Sequence, residues 1–154
     1  MPAKTVFDDL PRPPCAELLG WHIIDARPDE GWIFVGFEGR PEFRNPAGFI
    51  QGGFLAAMLD DTLGPTIFLK SWGKLYTVTT NMNVSFLNPA RVGPIFGEGQ
   101  ILQAGKTLGF VEAKLTDKDG LVLARATATV RIVAAEKDQI WFSINHFLLE
   151  FCWA

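Results

Sequence analysis

Three features of this 154-residue chain could act together chemically: Asn45, the run Gln51-Gly52-Gly53, and Asp60. The segment after Gly53, FLAAMLDDTLG, reads as a helix, because Ala, Leu and Met dominate and no β-branched residue occurs before Thr62. The first N–H groups of a helix have no intrahelical partner, and the helix dipole favours negative charge beside them. Glycine at that point lets another molecule approach the backbone closely. The Gly52 N–H is therefore a candidate to hold a carbonyl oxygen as charge develops on it. Asp60, in the apolar body of the helix, is the matching candidate for a buried base or nucleophile. Asn45 can orient a substrate or an attacking water through its amide. Gly52 and Asp60 are eight positions apart, which is about 12 Å along a helix. One reacting group cannot touch both in one chain, so the spacing predicts a site shared by two subunits. The neighbouring Asp61 points about 100° away and reads as solvated or paired across that interface.

The elements that must hold these groups follow from the pattern. Residues 1–15, rich in Pro and mixed charge, read as an N-terminal arm or short helix leading into a domain over 16–133. From Cys15 to Phe43 the pattern is strand-like, and LLGWHIIDARP and GWIFVGFEGRP, joined by DEG, predict a hairpin. PEFRNPAGFIQGG is a loop marked by its prolines and glycines. In the helix, Phe54 to Leu59 is apolar on every side, which predicts burial all round. Gly64-Pro65 should end or kink it, with TIFLKSW as a further turn. Four strands follow, in LYTVTTNMNVSFLNP, GPIFGEGQILQAG, LGFVEAKLTDKDG and LVLARATATVRIV. In the third, Phe110, Glu112, Lys114 and Thr116 alternate with Val111, Ala113 and Leu115, and DKDG marks a tight turn. A helix apolar on all faces needs a sheet that wraps it. The expected class is α+β, a curved antiparallel sheet around one long central helix.

Composition narrows the function. With 48% hydrophobic and 20% charged residues the chain is too apolar for disorder and too interrupted by charge for a membrane span. A net charge of -3 is the wrong balance for a nucleic-acid binder. Cys15 and Cys152 cannot supply a disulfide framework or a four-cysteine zinc site, and no metal is called for. The start, MPAKTVFDDLPRPP, lacks the apolar run of a signal peptide, which with the sparse cysteine points to the cytoplasm. The 13 Phe and 5 Trp suggest that some bury against another subunit. Residues 134–154 form a tail in which a charged AAEKDQ hinge precedes the apolar IWFSINHFLLEFCWA. It packs on the domain, packs on a partner subunit, or is a natural or cloning-derived oddity, and its role is open.

The stretch from Asn45 through Gln51-Gly52-Gly53 to Asp60 resembles the signature of hot-dog-fold acyl-CoA thioesterases, closest to the phenylacetate-pathway and 4-hydroxybenzoyl-CoA type. TTNMNVSFLNPAR and GKTLGFVEAKLTDKDGLVLARATATV are similar to the family's later strands, so the resemblance covers roughly residues 16–133. It implies hydrolysis of an acyl-CoA thioester, with coenzyme A as part of the substrate and no cofactor. It also implies a dimer or a dimer of dimers. One position departs from the pattern: Gln51 stands where the family has His. Gln still donates a hydrogen bond but cannot change charge near neutral pH. The resemblance assigns Thr79 to placing the water, and Arg91 and Lys106 to the phosphates of coenzyme A. Phe54 and Met58, with Phe49 and Phe86, would line an acyl pocket suited to an aromatic or medium-chain group. The Gln51 departure keeps a non-catalytic acyl-CoA-binding module as the alternative. A hot-dog dehydratase ranks last, because that chemistry wants a His at the motif.

Overall fold

The computed structural model describes residues 5–135. The tail from residue 136 onward, and with it most of the 134–154 segment, lies outside the described residues. A short helix, α1 (Pro14–Leu19), opens the domain, with proline at its first position, where the missing N–H costs nothing. Gly20, at φ 69°, closes it: the Gly20 and Trp21 N–H groups reach back to the Glu17 and Ala16 carbonyls. The strand-like reading from Cys15 is therefore corrected. Ala16 and Leu19, three apart, bury one face of a helix, and β1 (His22–Arg27) begins only after the glycine. β1 pairs antiparallel with β2 (Trp32–Gly39), which gives the expected hairpin.

Two helices carry the middle of the chain, α2 (Gly52–Leu63) and α3 (Pro65–Lys70), joined through Gly64 in right-handed helical conformation. Pro65 has no N–H for the Asp61 carbonyl one turn back. The Trp21 indole takes that role, donating from Nε1 to the Asp61 carbonyl oxygen at 3.0 Å. The break in the helix thus leaves no orphan acceptor at the Asp61 carbonyl.

β3 (Leu75–Phe86), β4 (Gly93–Ala104), β5 (Leu108–Asp117) and β6 (Val122–Ala134) complete a six-stranded antiparallel sheet in the order β1-β2-β4-β5-β6-β3. In β5, Val111, Ala113 and Leu115 are buried while their neighbours face outward, as the alternation predicts. The turn into β6 is held by Asp117, whose Oδ1 accepts from the Asp119 and Leu121 N–H groups at 2.9 Å each. α2 crosses the sheet against β4 and β5. Gly97 and Gly99 on β4 permit that approach: a side-chain carbon at Gly99 would stand 2.7 Å from the Thr62 carbonyl. This is the hot-dog fold, a sheet wrapped around a central helix.

Leu55, Met58, Leu59, Thr62 and Leu63 form the buried stripe of α2. The helix is not buried all round, as its apolar run suggested. Gly53 and Ala57 are exposed, and Phe54, Ala56 and Asp60 are half-buried. A helix lying on one sheet needs one apolar stripe, and the small residues opposite leave its other face accessible. β3 is an edge strand whose outer side pairs with no described strand, and Tyr76 and Val78 on it are exposed. Among the described residues no helix is long and apolar enough to cross a membrane.

Candidate active site

The loop over residues 41–51 presents the amino end of α2. It is pinned by Gln51 N–H to the Phe43 carbonyl and Ile50 N–H to the Ala90 carbonyl, each at 2.8 Å. Asn45 Oδ1 accepts from the Ala47 and Phe49 N–H groups at 3.0 and 3.1 Å, so its oxygen shapes this loop and its amide NH2 is left for other partners. Gln51 is the N-cap: its Oε1 accepts from Gly53 N–H at 2.7 Å, which fixes the side chain with its NH2 facing outward. A side-chain carbon at Gly53 would lie 2.7 Å from that same oxygen, so a larger residue there would shift the end of the Gln51 side chain. The Gly52 N–H donates to no described group. Beside it stands the Phe86 ring, about half exposed, 3.2 Å from where a side chain on Gly52 would begin.

Two turns further along, Thr79 Oγ1 donates to Asp60 Oδ1 at 2.8 Å. This bond joins α2 to β3 and orients the carboxylate, leaving Oδ2 free of any described donor. The same helix carries Gly52 and Asp60 without interruption, so the eight-residue separation holds in the fold. Asp60 and Thr79 open into a groove of about 820 Å³ between the N-terminal arm, the α2–α3 face and β3.

The buried acid is the neighbour. Asp61 Oδ2 is out of contact with solvent and has no partner among the described residues. Burial first, and the charge of Asp60 second, raise its pKa from 3.8 to about 6. The sequence reading, with Asp60 buried and Asp61 solvated, is thereby corrected. Both aspartates line the same groove. Asp61 lies close enough to Cys15 of α1 for its charge, after burial, to raise that thiol's pKa, and its Oδ2 is covered, while the Asp60 carboxylate is held by Thr79. A carboxyl with a raised folded pKa favours the folded state while protonated. That contribution is complete below about pH 3.8 and is lost as pH rises through about 6. Asp61→Asn stays neutral throughout, so its thermal stability should exceed the wild type's above pH 6, by on the order of 2 kcal/mol, and converge with it near pH 4. Parallel melting curves from pH 4 to 8 would reject this account of Asp61.

The sequence profile of the thioesterase superfamily matches residues 47–124, the stretch that holds Gly52, Asp60 and Thr79. The chain belongs to the thioesterase superfamily. It is similar to human acyl-coenzyme A thioesterase 13, at 28% identity over 109 residues, 70% of this chain and 76% of the relative. Among solved structures it is similar to a phenylacetic acid degradation-related protein of Ralstonia eutropha, with 32% identity and a TM-score of 0.77, covering 82% of this chain and 95% of that one. The PaaI protein of the E. coli phenylacetic acid degradation operon shares the fold, at 21% identity and a TM-score of 0.69 over 76% of this chain and 86% of that one.

In this thioesterase the other expected binding residues fall in separate places. Met58 is fully buried in the core under α2 and lines no groove; its position on the sheet-facing stripe, with Leu55 and Leu59, decides this. Phe54 is half-buried and stacks on Phe43 with ring centroids 4.1 Å apart. Arg91 lies over the Phe49 ring at 5.8 Å, beside the amino end of α2. Lys106 is exposed in the β4–β5 turn. Arg91 precedes the 12-residue β4 and Lys106 follows it, so the two stand at opposite ends of a strand roughly 35–40 Å long. One coenzyme A cannot bridge them within a chain. The N-terminal arm was missed as part of the site. Its Pro-rich composition reads as an arm or short helix leading into the domain, and only the fold brings it over Asp60 and Asp61.

Proposed function

We propose that this thioester hydrolase acts on acyl-CoA, releasing a free acid and coenzyme A, at a site completed by two subunits. The single observation that carries this is one continuous helix with an unclaimed N–H at Gly52 and a Thr79-oriented carboxylate at Asp60, about 12 Å apart. The thioester carbonyl sits on the Gly52 N–H of one chain, facing Asp60 of the other. Asp60 then acts in one of two ways. As a base it takes a proton from water while the water oxygen bonds the carbonyl carbon. As a nucleophile it forms an acyl-aspartate that water cleaves. In both routes the C–S bond breaks and the thiolate leaves, to be protonated as free coenzyme A. Asn45, through its free NH2, and Thr79 position the reactants, and Arg91 is placed for a phosphate of the substrate at the Gly52 end. The open edge of β3 and the accessible face of α2, on which a second chain would dock, support this reading. The acyl group is aromatic or medium-chain, in keeping with the apolar side chains around the groove.

The test is a thiol-release assay with phenylacetyl-, 4-hydroxybenzoyl- and hexanoyl-CoA, followed by chain mixing. Asp60→Asn and Gly52→Pro chains, each inactive alone, should regain about a quarter of wild-type activity after subunit exchange, because half the dimers are mixed and each has one intact site of two. No recovery, with exchange verified, rejects the shared site.

The observation favouring the second reading is Gln51, engaged as a helix cap and unable to titrate. On that reading the protein binds acyl-CoA tightly and releases no thiol from any of the three esters.

A further inference from the structure

The outer face of the sheet, turned away from α2, carries an apolar patch that the site does not use. On β5 the residues that alternate with Val111, Ala113 and Leu115 point outward, and two of them, Leu108 and Phe110, are 46% and 44% exposed. Leu102 is 55% exposed in the bulge of β4, between the residues that pair with Val111 and Phe110. β6 lies beside β5 with Arg131 opposite Leu108 and Thr129 opposite Phe110. β3 lies beyond it, with Asn81 opposite Thr129. Among these strands the face holds a hollow of about 120 Å³, to which β4 and β5 contribute Leu102 and Phe110, and β6 and β3 contribute Thr127, Thr129, Asn81 and Asn83.

The size of the hollow selects its occupant. A small-molecule site takes ~300–1,000 Å³, and ~150 Å³ holds a benzene ring. At about 120 Å³ the hollow fits one large side chain. The chain itself carries such side chains to this part of the sheet. β6 ends at Ala134, and the Ala135 N–H donates to the Lys74 carbonyl at 2.9 Å, so residue 136 starts beside the strands that bear the patch. Residues 136–139 are Glu-Lys-Asp-Gln, and 140–154 are apolar except for Ser143, Asn145, His146 and Glu150. Ala135 and Thr129 are six positions apart, about 20 Å of strand. Six residues of chain leading back from Ala135 reach at most about 20–22 Å. Trp141 is therefore the first residue of the apolar run that can stand over the hollow. A tether this short holds its segment at an effective concentration of order millimolar, which a second copy of the chain does not match.

We propose that residues 140–154 dock on the outer face of the sheet of their own chain, with an aromatic side chain of the Trp141-Phe142 pair seated in the hollow beside Leu102 and Phe110. The charges fit this path. Glu136 and Asp138 pass Arg131, which is exposed on that face and forms no ion pair among the described residues. Docking covers the apolar patch and the apolar run in one step. It puts the tail on the face opposite α2, away from Gly52 and Asp60, so the tail braces the domain and takes no part in the chemistry.

The experiment uses the full chain with the photo-reactive residue p-benzoylphenylalanine in place of Phe110 or Leu102. The same residue in place of Leu121, which is exposed in the turn at the other end of β5, is the control. All three positions are exposed, and melting curves check that each protein is folded. Irradiation should join positions 110 and 102 to residues within 140–154, as a product of single-chain mass on a denaturing gel, mapped by mass spectrometry. Position 121 should give no such product. Trp141→Asp with Phe142→Asp should lower the yield at 110 about tenfold or more, because a charged group is excluded from an apolar seat. Products of double mass mean that a second chain covers the patch, and they overturn the proposal. Products outside 140–154, equal yields at 110, 102 and 121, an unchanged yield in the folded double variant, or no product at all overturn it too.

Discussion

Asp60→Asn is expected to lower thiol release by about 100-fold or more while leaving the fold intact. The change is isosteric, and Asp60 is only half-buried. Its consequence follows from the bond with Thr79. With Oδ1 accepting from the Thr79 hydroxyl, an asparagine that keeps this bond turns its oxygen to Thr79 and its NH2 to the groove. A donor then stands where the reaction needs an acceptor or a nucleophile. Both routes proposed for Asp60 fail in the same way, so the prediction does not depend on choosing between them. Thiol release measured on both proteins at matched melting temperature checks it, and a variant within about threefold of wild type would remove Asp60 from the chemistry.

The second large effect belongs to Gly52→Pro, expected to cost about 10²–10³ in kcat through the loss of one oxyanion donor. Proline is tolerated at the first helical position, where its fixed φ suits the turn. Gln51, just before it, is already extended at φ -67° and ψ 139°, as the residue preceding a proline must be. The lost N–H donates to no described group, so the fold gives up no hydrogen bond. Gly52→Ala is the control, because it adds the same side-chain carbon beside the half-exposed ring of Phe86 and keeps the N–H. If alanine and proline lose activity equally, the fault is crowding at Phe86 and the carbonyl is held elsewhere.

What could be read from the sequence divides along a physical line. The four later strands, the hairpin and the helix from Gly52 were legible because local period and turn chemistry agreed with the fold, as in β5 and the Asp117 turn. The pairing of Asp60 with Thr79 was foreseen only as membership of one site; that they touch is a fact of register between α2 and β3. Which of the two adjacent aspartates is covered could not be read, since it depends on segments distant in sequence, such as α1, whose Cys15 lies near Asp61. Met58 failed as a pocket residue for the same reason: apolarity marks a core face and a pocket wall alike, and only the sheet tells them apart. The arm's roofing of the groove had no local signal at all.

The indole–carbonyl bond at the helix break has a consequence for how this sequence can change. Trp21 Nε1 stands in for the N–H that Pro65 lacks. Losing the indole alone strands a carbonyl beside two carboxylates. A backbone donor restored at 65 can share that oxygen, which has two lone pairs. The dependence therefore runs one way: Trp21 is free to vary only once residue 65 can donate. Any redesign of the groove that replaces the indole has first to restore an N–H at 65.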